Sequence, residues 1–185
     1  MQTDDLSTRD RIVTTAARLF RQKGFHGVGL SEILEASRAP KGSLYHHFPE
    51  GKPALARAAA EQTSVGMAQI IDDAFKAALN WETGATTLCY KLAKLFDVLD
   101  ATDGCPLSVL LFDGPDNDGF RTLANSIFQS WINRIAAHGL RLNPSDVTAV
   151  RRAETLLMAI EGGWTLARAR RDSGVLRSLP ERLFG

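Results

Sequence analysis

The amino-acid sequence predicts an all-α protein in which a helical module of about 50 residues precedes a larger helical bundle. Three observations predict this class. Apolar residues recur three and four positions apart along most of the chain, which is the spacing of one face of a helix. Prolines, glycines and capping residues stand where these stretches end. No stretch shows the alternation of apolar and polar residues that indicates a half-buried strand.

The first helix is predicted from Thr8 to Lys23. Its apolar residues share one face and are Ile12, Ala16, Leu19 and Phe20. Gly24 follows this stretch and is expected to end the helix as a C-terminal cap, because glycine adopts a left-handed conformation without strain.

A second, short helix is predicted after the "FHGVG" segment. Leu30, Ile33 and Leu34 repeat the helical spacing over a shorter span. Ser31 and Glu32 fall in the first turn, where polar and acidic residues are favoured.

A third helix is predicted to start at Pro40, which lacks only an N–H that would be unpaired in a first turn. It passes Leu44 and ends at Phe48, before the helix-breaking Pro49. The second and third helices are joined by about three residues, which is a helix-turn-helix pattern.

A long helix is predicted to begin at Lys52 or Pro53 and to continue to about Leu79. At 1.5 Å per residue, such a helix is long enough to leave one domain and enter another. We therefore expect one domain at residues 1–51 and a second at residues 52–185.

The second domain is predicted to be helical throughout. One helix carries the apolar residues Leu88, Leu92, Leu95, Phe96 and Leu99. After "TDGCPL", a short apolar segment at 107–112 and a "DGPDNDG" loop, a strong apolar stripe runs from Phe120 to Ile135 and is closed by Gly139. Capping residues at 143–146 introduce a last long helix to about Asp172, and "GVLRSLPERLF" fits a short terminal turn or helix.

Composition excludes several functions. No apolar run approaches the roughly 18 residues of a membrane span, and the N-terminus is acidic and polar, so we expect a cytoplasmic protein with no membrane partner. Cys89 and Cys105 lack metal-ligand spacing, and the consecutive His46 and His47 diverge by about 100° on a helix. No glycine-rich phosphate loop or nucleophile–His–acid set is present. We therefore expect no enzyme, no cofactor and no metal.

The third helix combines a buried and a polar face. Leu44 and Phe48, four residues apart, would face the first two helices. The side chains left on its other faces are Lys41, Ser43, Tyr45, His46 and His47. Positive charge is also concentrated here, since residues 1–60 hold nine bases and six acids whereas the remainder holds 13 bases and 15 acids.

These residues resemble a known family. "AARLFRQKGF", the short second helix, "PKGSLYHHF" and Lys52 resemble the N-terminal DNA-binding domain of the tetracycline-repressor (TetR) family of bacterial transcription regulators, over roughly residues 8–56. "GCPL", the helix of Trp131 and "EGGWTLARARRD" are similar to the LmrA/YxaF-like branch. The resemblance implies a ligand-responsive regulator, by default a repressor. It implies a homodimer on a double-stranded operator with two half-sites, released by a small, largely apolar effector.

The resemblance and the helix geometry together imply the DNA contacts. We expect Lys41 and Ser43 near base edges, with Gly42 allowing close backbone approach. The Tyr45 hydroxyl and Lys52 are expected on phosphates, and His46 on either. The outward donors and scarcity of acids fit a major groove.

Three positions depart from the family pattern. The family usually carries Thr or Ser where Val28 and Gly29 stand, and one of those hydroxyls caps the second helix and contacts a phosphate. Ser31 is the candidate substitute. The tight turn usually has Gly where Arg38 stands, so either this turn is reshaped or Arg38 adds a phosphate contact.

The resemblance places the effector pocket in the bundle and makes the helices from Phe120 to Ile135 and from Val147 to Arg171 the candidates for the dimer interface. The predicted seam is a small, apolar stripe on the last long helix, with internal core as the alternative: Ala149, Ala153, Leu156, Ile160, Gly163 and Ala167. The predicted pocket, for which plain core is again the alternative, is lined by Phe75, Leu92, Phe96, Leu107, Leu111, Phe128, Trp131, Glu161 and Trp164. We favour pairing of Glu161 with Arg168 or Arg134, and otherwise expect it to anchor the effector.

Two other functions remain open at the level of sequence. Val28, Gly29 and Arg38 would also suit a helical small-molecule-binding carrier, or a protein-interaction module, whose DNA-binding module does not function. Sequence-selective, salt-dependent duplex binding would separate the regulator from both.

Overall fold

The structure is a computed structural model that describes residues 6–99 and 118–185, and within these residues it is helical with no β-strand. The helices are α1 (Thr8–Lys23), α2 (Leu30–Ala36), α3 (Ser43–His47), α4 (Lys52–Phe75), α5 (Trp81–Val98), α6 (Asp118–Leu142), α7 (Ala149–Arg170), α8 (Gly174–Arg177) and α9 (Leu179–Phe184). The predicted all-α class is confirmed. In these two ranges no helix is long and apolar enough to cross a membrane. The predictions for 107–112, Leu107, Leu111 and Cys105 lie outside the described residues.

The described residues form two compact units. One contains residues 6–65 and 118–125, and the other contains 66–99 and 126–185. The division therefore falls inside α4 and inside α6. The domain boundary at residue 52 stays a prediction.

The ends of α1 follow the sequence signals. The Ser7 hydroxyl accepts a hydrogen bond from the Asp10 N–H at 3.1 Å and caps the first turn. Gly24, at φ 72°, ends the helix and donates its N–H to the Phe20 carbonyl at 2.8 Å. The predicted bounds of α1 are confirmed because both caps are written in the local sequence.

The core of the first unit is formed by side chains from α1, α2, α3 and α4. Those with no exposed surface include Ile12, Phe20, Ile33, Leu44 and Leu55. A hydrogen bond of 3.1 Å from the Gln62 amide to the Thr14 hydroxyl also joins α4 to α1. This core holds α2 and α3 in a fixed relation to each other.

Several predicted helix boundaries are wrong. The third helix starts at Ser43, because Pro40 and Gly42 form a separate turn that the Ser43 N–H closes onto the Pro40 carbonyl at 2.9 Å. The long helix α4 ends at Phe75, and the next turn is closed by an Ala78 N–H to Phe75 carbonyl bond at 3.2 Å.

The third wrong boundary concerns α6. It begins at Asp118, inside the predicted loop, and passes through Gly139 to Leu142. A β-carbon at Gly139 would lie 3.1 Å from the ring of Trp81, so this glycine permits close helix packing and does not end the helix. The last long helix also begins later than its capping residues suggest. Asp146 accepts hydrogen bonds from Thr148, and α7 starts at Ala149.

The second unit is built around aromatic side chains. Phe75 stacks on His138 with ring centroids 5.2 Å apart and contacts Trp81 at 5.6 Å. Trp164 and Phe96 meet edge to face at 5.4 Å. The terminal segment forms α8 and α9, as its sequence predicts, and both pack against α5 and α7.

Candidate nucleic-acid interface

The turn between α2 and α3 is a Schellman motif with an arginine at its left-handed position. The Ala39 N–H donates to the Leu34 carbonyl at 3.1 Å, and the Arg38 N–H donates to the Glu35 carbonyl at 3.1 Å. Arg38 has φ 52°, which few non-glycine residues adopt. The turn therefore keeps the glycine geometry although the glycine is absent.

The start of α2 has no side-chain cap. Gly29 occupies the N-cap position and offers no hydroxyl, as its identity predicts. Glu32 lies in the first turn, and its pKa is held below the ordinary value chiefly by a hydrogen bond from Lys23, with a smaller contribution from the Gly29 N–H. Ser31 is exposed in the same turn. The Glu32 carboxylate, and not a hydroxyl, therefore accepts a backbone hydrogen bond at the start of this helix.

Helix α3 presents the polar face that its spacing predicts. Leu44 is fully buried and Phe48 is 3% exposed. On the opposite side Tyr45 is 63% exposed, and Lys41 and His46 are exposed as well. The Arg9 guanidinium lies 5.5 Å from the ring centroid of Phe48 and so supports the buried side.

Two small residues complete the start of α3. The Ser43 hydroxyl donates to the Pro40 carbonyl at 2.6 Å, which fixes the side chain and leaves its oxygen able to accept. A β-carbon at Gly42 would meet nothing within 4 Å in the described chain. Nothing there requires glycine at this position, whereas close approach by an external backbone would.

A groove between α2 and α3 gathers most of the predicted contact residues. Its volume is about 640 Å³, and its lining includes Ser31, Glu35, Arg38, Lys41 and Tyr45. Among its lining residues two are cations and one is an acid. The groove therefore favours an anionic partner.

Lys52 lies outside this groove. Its ammonium sits 4.4 Å from the ring centroid of Phe25, and burial lowers its pKa from the ordinary value. Lys52 thus packs the start of α4 against Phe25, and only part of its side chain is accessible to a phosphate.

The two adjacent histidines do not form a metal site in the structure. The rings of His46 and His47 contact each other at 5.0 Å. Across residues 6–99 and 118–185 no three His, Cys, Asp or Glu side chains are grouped as ligands of a metal ion.

The stripe of α7 that is predicted as the dimer seam faces the interior of the single chain, as its alternative of internal core implies. The stripe is already buried within the single chain: Ala149, Ala153, Leu156, Ile160, Gly163 and Ala167. At Gly163 an added β-carbon would lie 3.0 Å from Leu179 and 3.3 Å from Leu176, so α8 and α9 cover this face. This packing leaves little of the stripe accessible to a second protomer, and the seam stays a prediction.

The other face of α7 carries an exposed stripe that the sequence analysis did not single out. Met158 is 62% exposed and Leu166 is 49% exposed, and Gly162 lies between them with open space beyond its Cα. The spacing of four residues was a usable signal, since it places all three on one helix face.

The residues of the predicted effector pocket divide into buried and half-buried groups. The buried ones are Phe75, Leu92, Phe96, Trp131 and Trp164. Phe128 and Glu161 are half-buried. The indole N–H of Trp164 is fully buried and has no hydrogen-bond partner in the described chain. Such a group is costly to leave unpaired.

An ion-pair cluster joins α4 to α6. Asp72 accepts from Arg134 at 2.6 Å and pairs with His138 at 2.9 Å. These contacts, led by the hydrogen bond from His138, hold the pKa of Asp72 below its ordinary value. Arg134, a candidate partner of Glu161, therefore pairs with Asp72. The sequence could not indicate this pair because 62 positions separate the two residues.

The fold and the α2–α3 surface define a class, the helix-turn-helix regulators with a helical C-terminal domain. The model of bacterial regulatory proteins of the tetR family matches residues 12–59, and that of the LmrA/YxaF-like transcriptional regulator C-terminal domain matches residues 83–182. The HTH-type regulator YxaF of Bacillus subtilis is 31% identical over 178 residues, which cover 95% of this chain and 93% of YxaF. LmrA of the same organism is 30% identical over 168 residues, 90% of this chain and 89% of LmrA.

This chain belongs to the TetR family of transcriptional regulators, with a C-terminal domain of the LmrA/YxaF-like type. The predicted family is confirmed, and the relatives are transcriptional regulators, not enzymes. A solved structure of a cysteine mutant of CifR, in complex with a 26-bp operator duplex, has the same fold. It is 21% identical, with a TM-score of 0.78 over 94% of each chain.

Proposed function

We propose that this chain is a cytoplasmic, ligand-responsive regulator that represses transcription by binding operator DNA through α3. The observation that carries the proposal is the exposed polar face of α3 above the buried Leu44 and Phe48. This arrangement suits a helix that enters a major groove while its other side is held by the domain core. CifR, which shares the fold, binds an operator duplex.

We assign the contacts by where each side chain lies. Lys41, in the turn before α3, and Ser43, its first residue, reach base edges, and the bare Cα of Gly42 admits the DNA backbone. Tyr45 donates its hydroxyl to a phosphate, and His46 binds either a phosphate or a base. Ser31 at the start of α2 and the exposed part of Lys52 contact phosphates, at a greater distance from the bases.

The test begins with a duplex recovered by selecting bound fragments from genomic DNA. Lys41→Ala and Tyr45→Phe should each weaken binding by about 3- to 30-fold, because each removes one polar contact. Lys94→Ala removes another exposed lysine, from α5, and should leave binding unchanged. Helicity and molecular mass should match the wild type in all three variants. Unchanged binding by both α3 variants would contradict the assignment.

The regulator should act as a homodimer, since two half-sites about one turn of DNA apart match a two-fold pair of binding modules. We propose the exposed face of α7 as the seam. Met158 and Leu166 supply apolar surface, and Gly162 between them lets a partner helix approach closely. This surface replaces the buried stripe of the same helix.

The effector is proposed to be a small, largely apolar molecule with at least one hydrogen-bond acceptor. The buried and unpaired indole N–H of Trp164 supports the acceptor, and the neighbouring ring of Phe96 supports the apolar body. Trp164→Phe keeps an aromatic ring and removes the N–H. A compound that releases wild-type protein from a labelled duplex should then act at a concentration about tenfold higher on this variant. Equal potency would count against the proposed contact.

Release from the operator requires the effector to favour a DNA-incompetent arrangement. We propose that binding in the bundle shifts α4 and so changes the separation of the two α3 helices. A coupling of about 1 to 3 kcal/mol would give a switch of roughly 5- to 150-fold. An effector that tightened operator binding would instead make the protein an effector-dependent binder and reverse the proposed sign.

A further inference from the structure

Arg38 holds a backbone conformation that its side chain makes costly. At φ 52° its Cβ crowds the following carbonyl, a conflict that glycine at this position would avoid. Strained residues of this kind are concentrated at functional sites, so the surroundings of Arg38 decide whether its side chain has a role.

The fold itself gains nothing visible from the arginine side chain. The two hydrogen bonds of the Schellman motif come from backbone groups. The side chain is exposed, and in residues 6–99 and 118–185 its guanidinium has neither a hydrogen bond nor an ion pair. Within these described residues, no contact of the side chain opposes replacement by glycine.

The position of Arg38 indicates which partner its side chain would bind. It lines the α2–α3 groove together with Lys41 and Tyr45, beside the start of the helix proposed to enter the major groove. A guanidinium presents a planar fork of donors that matches two phosphate oxygens, and it stays charged at any physiological pH. The groove contains one acid, Glu35, too few to neutralise its two cations.

We propose that Arg38 binds a phosphate of the operator backbone and that this contact offsets the strain of the left-handed turn. The inference rests on the proposed function, and it makes Arg38 a positioning residue that sets how deeply α3 enters the groove. Replacing Arg38 with glycine should consequently weaken DNA binding without lowering the stability of the fold.

The chain contains a matched control at the end of α7. Arg171 has φ 53°, and its turn is a second Schellman motif, with the Arg171 N–H on the Arg168 carbonyl at 3.2 Å and the Asp172 N–H on the Ala167 carbonyl at 3.0 Å. Arg171 is exposed too, but it lies in the other compact unit. The same substitution there changes the same strain and charge away from the groove.

The experiment compares Arg38→Gly and Arg171→Gly in the full chain. Both should keep the wild-type Tm or raise it by about 1 to 3 °C, because glycine relieves the strain and loses part of that gain to chain entropy. On the selected duplex, Arg38→Gly should bind about tenfold or more weakly. Its plot of log affinity against log salt should be shallower by about 1 for each half-site occupied. Arg171→Gly should match the wild type in both measurements.

Two further variants separate the charge from the backbone. Arg38→Lys should retain the salt slope with weaker binding, since it keeps the charge and loses the fork. Arg38→Asn, which tolerates the left-handed conformation, should reproduce the binding loss of Arg38→Gly. Wild-type affinity and salt slope in Arg38→Gly would overturn the inference alone. A lower Tm in that variant, with Arg171→Gly unaffected, would also overturn it by showing that the side chain stabilises the fold. Failure of the wild-type chain to bind any duplex would overturn the proposed function itself.

Discussion

Gly84 in α5 offers a stringent test of the packing between α4 and α5. A β-carbon built on Gly84 would overlap the ring of Phe75, the last residue of α4. That ring has no exposed surface, and it is held by His138 at 5.2 Å and Trp81 at 5.6 Å. Because the ring cannot turn away without displacing one of them, Gly84→Ala must push α5 from α4.

The expected magnitude combines two opposing effects. Overpacking a dense core costs about 1 to 3 kcal/mol, whereas alanine is favoured over glycine inside a helix by about 1 kcal/mol. For Gly84→Ala we expect a net loss of up to about 2 kcal/mol in the free energy of unfolding, which lowers Tm by up to about 8 °C in a chain of this size.

Gly66→Ala is the matched control. It lies within α4, and a β-carbon there would meet nothing within 4 Å. Only the helix-propensity effect applies, so this variant should gain about 0.5 to 1 kcal/mol and melt about 1 to 4 °C above the wild type. The melting temperature of both variants is measured by circular dichroism during heating. If Gly84→Ala melted as high as Gly66→Ala, the tight contact with Phe75 would be refuted.

Three further outcomes follow from other parts of the chain. The hydrogen bond from His138 lowers the pKa of Asp72, so its carboxylate stabilises the fold above the unfolded pKa of about 3.9 and loses that effect as the pH falls through the lowered folded value. Asp72→Asn should lower the free energy of unfolding by about 0.5 to 1 kcal/mol at neutral pH. Calorimetry should show that the difference in stability between this variant and the wild type becomes smaller in acid. Burial raises the pKa of Cys89 to about 12, so with the other cysteine replaced its alkylation at pH ~8 should be on the order of 10³-fold slower in native protein than in urea. Met158→Glu should convert dimer to monomer in light scattering, whereas Tyr90→Glu, on a comparably exposed site of α5, should not; an unchanged mass for Met158→Glu would refute the proposed seam.

Two glycines show what a local sequence pattern can and cannot establish. Gly24 and Gly139 each follow an apolar helical stretch, and the sequence predicts a helix end at both. Gly24 ends α1 because its own backbone takes φ 72°, a property of the residue itself. Gly139 stays inside α6 because its missing side chain makes room for Trp81, which is far away in the sequence. Signals carried by a residue's own backbone were predictable, and those that depend on a distant partner were not.

The α2–α3 surface followed from the sequence to the same extent. The four-residue spacing of Leu44 and Phe48 correctly predicted which face of α3 is buried and which is polar. The start of the helix was misplaced, because a proline that fits a first helical turn equally fits the turn before it. The hydrogen bond from the Ser43 hydroxyl to the Pro40 carbonyl is part of that turn. It depends on the direction that the backbone takes after the Schellman motif.

Helix α7 has one apolar face that the chain itself buries and a second apolar face that is exposed. Its sequence carries two stripes that could be buried, and the small residues of one stripe favoured that stripe as the seam between protomers. Leucines of the terminal segment, among them Leu176 and Leu179, pack against that stripe at Gly163. No local pattern in α7 predicts this contact. Once that face is covered by the chain itself, the exposed Met158 and Leu166 remain as large apolar side chains in water at an open glycine. The proposed homodimer would cover this second stripe with a second copy of the chain, which would remove both side chains from water.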